Sequence, residues 1–317
     1  MSSPAIVTSA IERRFGDLVA VAGVDLAIET GEMYGFLGPN GAGKSTLVRM
    51  LVTLLSPTAG SGSVAGYDVV VAPDEVRLRI GVALQEAALD LKATGRELLL
   101  TQAQYYGMTR EEGARRITEL DELVDVDALD RRVGTYSGGM RRRLDLAAAL
   151  MHRPEVLFLD EPTTGLDPTS RARVWEEVRH LNQELGMTVF LTTQYLEEAD
   201  ALADRVGIIN AGKLVAEGTP SALKRAIGSD LIVARVEGDT HGVPAALDAV
   251  ADVDSVEIRG ATITITTRVG AQTLSPVAVA LNSCGVEVTD LTLRTPTLDD
   301  VFLELTGDRL AANDAIA

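Results

Sequence analysis

Apolar and polar positions alternate between residues 5 and 28 with a break at "FGDL", which predicts two strands joined by a tight turn. "MYGFLG" (33–38) is a short apolar run and predicts a buried strand. "STLVRMLVTLL" (45–55) has apolar residues at helical spacing, and "SPTAGSG" then breaks the pattern with Pro and Gly. Residues 76–136 are mostly helical in pattern and charged, with helices expected near "GRELLLTQAQYYG" and "REEGARRITELDELV". The apolar runs "VLFLD" (156–160), "TVFLTT" (188–193) and "VGIINAGKLVAEG" (206–218) alternate with helical stretches such as "SRARVWEEVRHLNQEL". Fully apolar strands alternating with helices imply an α/β fold whose largely parallel sheet is covered on both faces.

The pattern changes near residue 228. "LIVARVE", "VPAALDAVAD", "VDSVEIR", "ATITITTRV", "SPVAVALNSCG" and "EVTDLTLRT" read as strand, helix, strand, strand, helix, strand. That is the ferredoxin-like order. A short helix "TLDDVFLELTG" follows, with Leu298, Val301, Phe302 and Leu305 at helical spacing. This stripe is read either as packing on its own domain or as a contact with a second copy or a membrane subunit. The expected organisation is a first domain over 1–228, an accessory domain over 229–307 and a loose tail over 308–317.

The segment "GPNGAGKST" (38–46) satisfies G-x-x-x-x-G-K-[ST] between an expected strand and an expected helix. Backbone N–H groups of Gly38, Asn40, Gly41, Ala42 and Gly43 would wrap phosphates, helped by the positive end of the helix. Lys44 would reach the β- and γ-phosphates, Ser45 would bind Mg²⁺, and Thr46, directly after the motif, is a further nucleotide-binding candidate. In "VLFLDEP" (156–162) the strand delivers Asp160 as a Mg²⁺ carboxylate, and Glu161 stands where it could position or deprotonate the attacking water. "YSGGMRRRLDLAAALMHRP" (136–154) places Ser137, Gly138 and Gly139 at a helix start, a second anion nest.

Composition narrows the partners. With 29 Lys+Arg against 46 Asp+Glu the net charge is −17, a poor match to nucleic acid. The Arg141–Arg143 run therefore reads as a solvated helix face or as contacts within a dimer. The single cysteine, Cys284, forms no intrachain disulfide, and a reduced cytosolic compartment fits. The N-terminus lacks a signal-peptide pattern, and no apolar run is long enough to span a membrane. His241 is isolated and reads as a surface residue.

The phosphate loop, "SGG", "LFLDEP" and "TTGLDP" (163–168) occur in an order and spacing that resemble the ATP-binding cassette (ABC) ATPases, over the whole first domain. The resemblance implies a P-loop cassette made of a parallel-sheet core, an antiparallel β subdomain and a helical subdomain, followed here by the ferredoxin-like domain. It implies ATP and Mg²⁺, and hydrolysis of ATP coupled to transmembrane transport. It places Phe15 where an aromatic stacks on adenine, although a core phenylalanine is the plain alternative. It places Gln85, at the end of "IGVALQ", as the glutamine that touches Mg²⁺ and water and senses the transporter partner. Asp167 matches the loop that crosses a dimer interface. In such dimers two copies dock head to tail, so Ser137, Gly138 and Gly139 would close the site of a second copy.

Gln194 in "TTQYLEEAD" stands where most of the family carries a switch histidine, and an amide there can sense phosphate but not titrate. Together with "YSGGMRRRLDLA" and "LDDVF", this resembles exporter ATPases of the daunorubicin-resistance type. The expectation is an exporter motor working with separate integral-membrane subunits at the cytoplasmic face of the membrane, with the C-terminal domain assembling the dimer. The alternative is an importer ATPase with a regulatory C-terminal domain, although importer signatures usually read "LSGGQ". A translation or DNA-repair cassette fits less well, because no second cassette and no long coiled coil is present. Intact Asp160 and Glu161 argue against a binding module without turnover.

Overall fold

A computed structural model describes residues 3–84, 89–124 and 128–306. Gln85 and the tail at 308–317 lie outside the described residues. The first strands, β1 (Ile6–Phe15) and β2 (Leu18–Ile28), form the expected hairpin, with Gly16 at φ +58° in the turn. Then come β3 (Met33–Leu37) and α1 (Lys44–Leu51). Helix α1 stops well short of residue 55. Thr53 adopts φ +64°, and the N–H groups of Leu54 and Leu55 both turn back to the Arg49 carbonyl.

The Gly/Ser run expected to break the chain instead forms β4 (Ala59–Val64), which pairs with β1 and with the two-residue β5 (Tyr67–Asp68). Glycine is the reason it fits: a Cβ on Gly60 would lie 2.1 Å from the Ala10 carbonyl oxygen. Close backbone approach, which no hydrophobic pattern announces, explains this strand. Beyond α2 (Pro73–Arg77), strand β6 (Ile80–Ala83) precedes the helices α3 (Gly95–Tyr105), α4 (Arg110–Val124) and α5 (Gly138–Ala149). Helix α3 starts on a reciprocal cap between Thr94 and Glu97.

The remaining elements of this unit are β7 (Val156–Asp160), α6 (Pro168–Leu185), β8 (Thr188–Thr193), α7 (Leu196–Leu202), β9 (Arg205–Asn210) and β10 (Lys213–Gly218). The run at 206–218 is thus a hairpin, turned by Ala211 and Gly212 at φ +47° and +78°. The six-stranded sheet has the order β10-β9-β3-β8-β7-β6, parallel except for its β10 edge. Along β7, Leu157 and Leu159 pack with α5 and α6, whereas Val156 and Phe158 pack with α1 and the β1–β2 hairpin. Burial on both faces is why these strands read as unbroken apolar runs. Phe190 sits at the centre, 5.6–5.7 Å from the rings of Phe158, Tyr34 and Phe36.

A second unit runs from Ser221. After α8 (Pro220–Ile227) it contains β11 (Asp230–Glu237), α9 (Val243–Asp248), β12 (Val253–Arg259), β13 (Thr262–Thr267), α10 (Gly270–Ser283) and β14 (Glu287–Arg294). The antiparallel order β12-β13-β11-β14 is that of a ferredoxin-like sheet, with Ile232, Ile265, Val277 and Leu281 in its core. In α11 (Leu298–Thr306), Leu298, Val301 and Phe302 are buried within the chain and Leu305 is exposed. Three of the four stripe residues are therefore buried, which argues against the stripe as an open contact surface.

Candidate nucleotide site

Parallel strands bring their C-terminal ends to one edge. The register pairs Leu37 with Thr193 and Asp160 with Thr192. The phosphate loop after β3, the acidic pair ending β7 and Gln194 after β8 therefore emerge side by side, where open α/β sheets place their ligands.

The loop needs its glycines. Gly41 and Gly43 adopt φ +79° and +109°, and a Cβ on Gly43 would lie 2.3 Å from the Ala20 carbonyl oxygen. Gly43→Ala is therefore expected to abolish ATP binding and to destabilise the chain by about 2 kcal/mol or more. A denaturant midpoint and an ATP affinity equal to wild type would contradict this. Ala42 is buried; its N–H returns to the Pro39 carbonyl and its own carbonyl accepts from Gly212.

Lys44 is 4% exposed, and its ammonium donates to the carbonyls of Gly38 (2.8 Å) and Pro39 (3.2 Å). It lies 3.4 Å from Glu161 Oε1. Burial lowers the Lys44 pKa, and the Glu161 carboxylate beside it opposes that shift. Ser45 Oγ donates to Asp160 Oδ1 at 3.2 Å, and Thr192 Oγ1 donates to the same oxygen at 2.5 Å. Glu161 has φ +48°, a left-handed conformation that costs a non-glycine residue roughly 1 kcal/mol. Pro162 next to it disfavours the ordinary helical region, and two bonds from the Glu161 N–H to Thr192 hold the turn. Strained backbone of this kind concentrates at working sites.

A cavity of about 370 Å³ is lined by Phe15, Leu18, Asn40, Gly41, Gly43, Lys44, Ser45, Thr46 and Glu161. Phe15 is 45% exposed with the Arg13 guanidinium 4.6 Å over its ring, so it is not a core residue. Gln194 is partly buried at the sheet edge. Ser45 and Asp160 offer adjacent hard oxygens, and among the described residues no cluster of three or more acidic, His or Cys side chains could hold a metal alone. That donor set fits Mg²⁺, which keeps waters and substrate phosphates in its shell.

The second group lies elsewhere. Ser137 caps α5, accepting from the Met140 N–H at 3.2 Å. A Cβ on Gly139 would sit 3.1 Å from Ser170 Oγ, and Asp167 caps α6 through Ser170 (3.0 Å to N, 2.6 Å to Oγ), which lowers its pKa. Ser137–Gly139 and Asp167 thus cluster together and do not line the Lys44 cavity of their own chain.

Tyr136, where the family pattern has leucine, is buried and donates to the Ala128 carbonyl at 2.8 Å. A Cβ on Gly95 would lie 2.6 Å from its hydroxyl, so a glycine at the start of α3 makes room for the larger ring. The Arg141–Arg143 run is not a solvated face. Arg143 is buried, and Arg142 donates to the Leu84 and Ala83 carbonyls (2.8 and 3.4 Å) and pairs with Asp145 at 3.2 Å. Burial pushes the Asp145 carboxyl up to about 6 despite Arg142. The hidden helix face explains why the solvated-face alternative fails: a charged triplet looks the same whether it meets water or strand-end carbonyls. The sequence pattern assigns no role to Thr192, Thr163 and Glu198. Hydroxyls at strand ends carry no pattern of their own, and Glu198 looks like a solvated helix residue.

A family model described as ABC transporter matches residues 21–164, and one described as the DrrA1-3-like ATP-binding protein C-terminal domain matches residues 218–306. The chain is 48% identical over 322 residues to a daunorubicin resistance ATP-binding protein of Streptomyces coeruleorubidus, covering 99% of this chain and 100% of that one. It is 42% identical to a doxorubicin resistance ATP-binding protein of Mycobacterium tuberculosis, covering 96% and 94%. A dimeric bacterial ABC transporter cassette superposes with a TM-score of 0.61 at 26% identity, over 68% of this chain and 98% of that one. No helix among the described residues is long and apolar enough to cross a membrane. With identity of this order over essentially the whole chain, the protein belongs to the ABC transporter family as an ATP-binding, ATP-hydrolysing subunit.

Proposed function

We propose that the chain is the motor of an exporter of drug-like or lipophilic substrates, driving separate integral-membrane subunits from the cytoplasmic face. The observation that carries its chemistry is the Lys44–Glu161–Asp160–Ser45 cluster at the sheet edge. The export reading leans on the drug-resistance relatives; the importer alternative has no comparable support.

In this reading Phe15 stacks on adenine, the loop Gly38–Gly43 and Thr46 hold the phosphates, and Lys44 draws the β- and γ-phosphates. Ser45, Asp160 and Gln85 would hold Mg²⁺, which neutralises phosphate charge when bound. Glu161 orients the attacking water and accepts its proton. Ser137, Gly138, Gly139 and Asp167 serve the site of a second copy in an ATP-dependent head-to-tail dimer. Their separation from the Lys44 cavity of their own chain supports that arrangement. The second unit acts as the accessory domain that assembles the dimer.

A groove of about 700 Å³ beside Leu84, the residue before Gln85, is lined in part by Leu54, Leu98, Tyr105, Tyr106 and His152. Leu54 and Tyr105 are 61% and 81% exposed. Its apolar lining suits a cytoplasmic helix of a membrane subunit.

Gln194 works as a neutral donor to the γ-phosphate. Gln194→Ala should cut turnover about tenfold or more, the scale of a lost phosphate contact, while Gln194→His retains turnover within about threefold. Steady-state phosphate release checks both, and a silent alanine would make Gln194 a spacer. The export reading is tested by expressing the chain with its membrane subunits in a sensitive bacterium. Lower daunorubicin accumulation, lost with Glu161→Gln, is expected; unchanged accumulation would contradict export of drugs of this type.

A further inference from the structure

Glu198 is fully buried on α7, four residues beyond Gln194. Its Oε1 accepts from Thr163 Oγ1 and from Trp175 Nε1, both at 2.9 Å. Thr163 belongs to the loop after Glu161, where Thr164 donates to Glu161 Oε2 at 3.3 Å and the Leu166 N–H returns to the Thr163 carbonyl. Trp175 is on α6, the helix capped by Asp167. One carboxyl oxygen thus joins the helix after Gln194, the loop between Glu161 and Asp167, and α6.

Two further contacts tie α6 to the same segment. The Arg171 guanidinium lies 4.7 Å over the Tyr195 ring, and Arg179 donates to the Ala201 carbonyl at 3.1 Å. Only Glu198, among these contacts, also reaches the catalytic loop.

Burial pushes the Glu198 carboxyl above its ordinary range. The Thr193 hydroxyl lies close enough to oppose that shift, although among the described residues Oε2 has no partner in hydrogen-bonding geometry. The Arg171 and Arg142 guanidinium charges also act on this carboxyl, so charges from α5 and α6 converge on it.

We propose that Glu198 is a positioning residue that transmits engagement of Gln194 by the terminal phosphate to the loop 163–167. Glu198 touches neither water nor nucleotide in this role. It keeps the Gln194 strand end, the Glu161 loop and the Asp167 cap in one register, so that a change at any of them is felt by the others. The proposal rests on the ATPase reading above and extends it to the route between the phosphate edge and the cluster formed by Asp167 and Ser137–Gly139.

Trp175 is the only tryptophan, so its emission reports on the Glu198 bond directly. The full chain is titrated with a non-hydrolysable ATP analogue, adenylyl imidodiphosphate with Mg²⁺, and phosphate release from ATP is measured in parallel. In the wild type the analogue should shift Trp175 emission. Thr163→Val, close in shape to the original, should bind the analogue normally but lose most of that shift. Its kcat should fall about tenfold, with KM for ATP within about threefold. Glu198→Gln keeps the acceptor oxygen and should retain kcat within about threefold, whereas Glu198→Ala should not. Wild-type kcat and an undiminished emission shift in Thr163→Val would overturn the proposal, as would a wild type whose Trp175 is blind to the analogue. A wild type that neither binds nor hydrolyses ATP would overturn the ATPase reading together with it, which is a distinguishable result.

Discussion

Replacing Glu161 by glutamine should leave ATP bound and cut turnover by about 10²–10⁴-fold, the range of a lost general base. The carboxylate is 7% exposed, held by a left-handed backbone at φ +48°, with Oε1 3.4 Å from the Lys44 ammonium. An amide of the same shape keeps the Thr164 bond at Oε2 or its equivalent but cannot accept a proton from water. Gln194 cannot take over, because its amide does not titrate. The loss should therefore fall on kcat and leave nucleotide affinity nearly unchanged. Equilibrium binding and phosphate release on the same sample separate the two. Turnover within about threefold of wild type would remove Glu161 from the reaction.

Lys44→Ala should abolish tight nucleotide binding and also destabilise the empty chain by about 3 kcal/mol, because it breaks a buried ion pair by deleting one partner. The pair is well shielded, at 4% and 6% side-chain exposure. Lys44 also satisfies the carbonyls of Gly38 and Pro39, so its removal loosens the loop as well as uncovering Glu161. Denaturant midpoints without nucleotide measure the first effect, and ATP binding the second. Added ATP should raise the wild-type midpoint and not that of the variant. Wild-type ATP affinity in Lys44→Ala would contradict the assignment of this loop.

The parts of the site that were legible in the sequence are those where chemistry forces a local pattern. Gly43 must be glycine because of φ +109° and the Ala20 carbonyl, and that requirement is what the motif records. The apolar run "VLFLD" is legible because β7 is buried on both faces, and Ser137 reads as a cap because a hydroxyl at a helix start has one strong use. What stayed hidden depends on distant neighbours. Strand β4 exists because Gly60 lets another backbone approach, and the Arg142 contacts reach carbonyls 58 and 59 residues away in sequence. Glu198 reads as a surface acid until Trp175 and Thr163 are seen to close over it. Helix α1 ends earlier than its sequence pattern predicts for a related reason, since Leu54 and Leu55 continue the apolar spacing while Thr53 turns the chain out of the helix.

The claim that joins these observations is that one chain carries two separate half-sites, the Lys44 cavity and the Ser137–Gly139 cluster, completed only by a second copy. Sedimentation velocity of the full-length Glu161→Gln chain, with and without ATP and Mg²⁺, tests it most directly. The expected result is a monomer without nucleotide and a dimer with ATP, lost again when Ser137 is replaced by arginine. A chain that binds ATP yet remains a monomer at saturating nucleotide would contradict it.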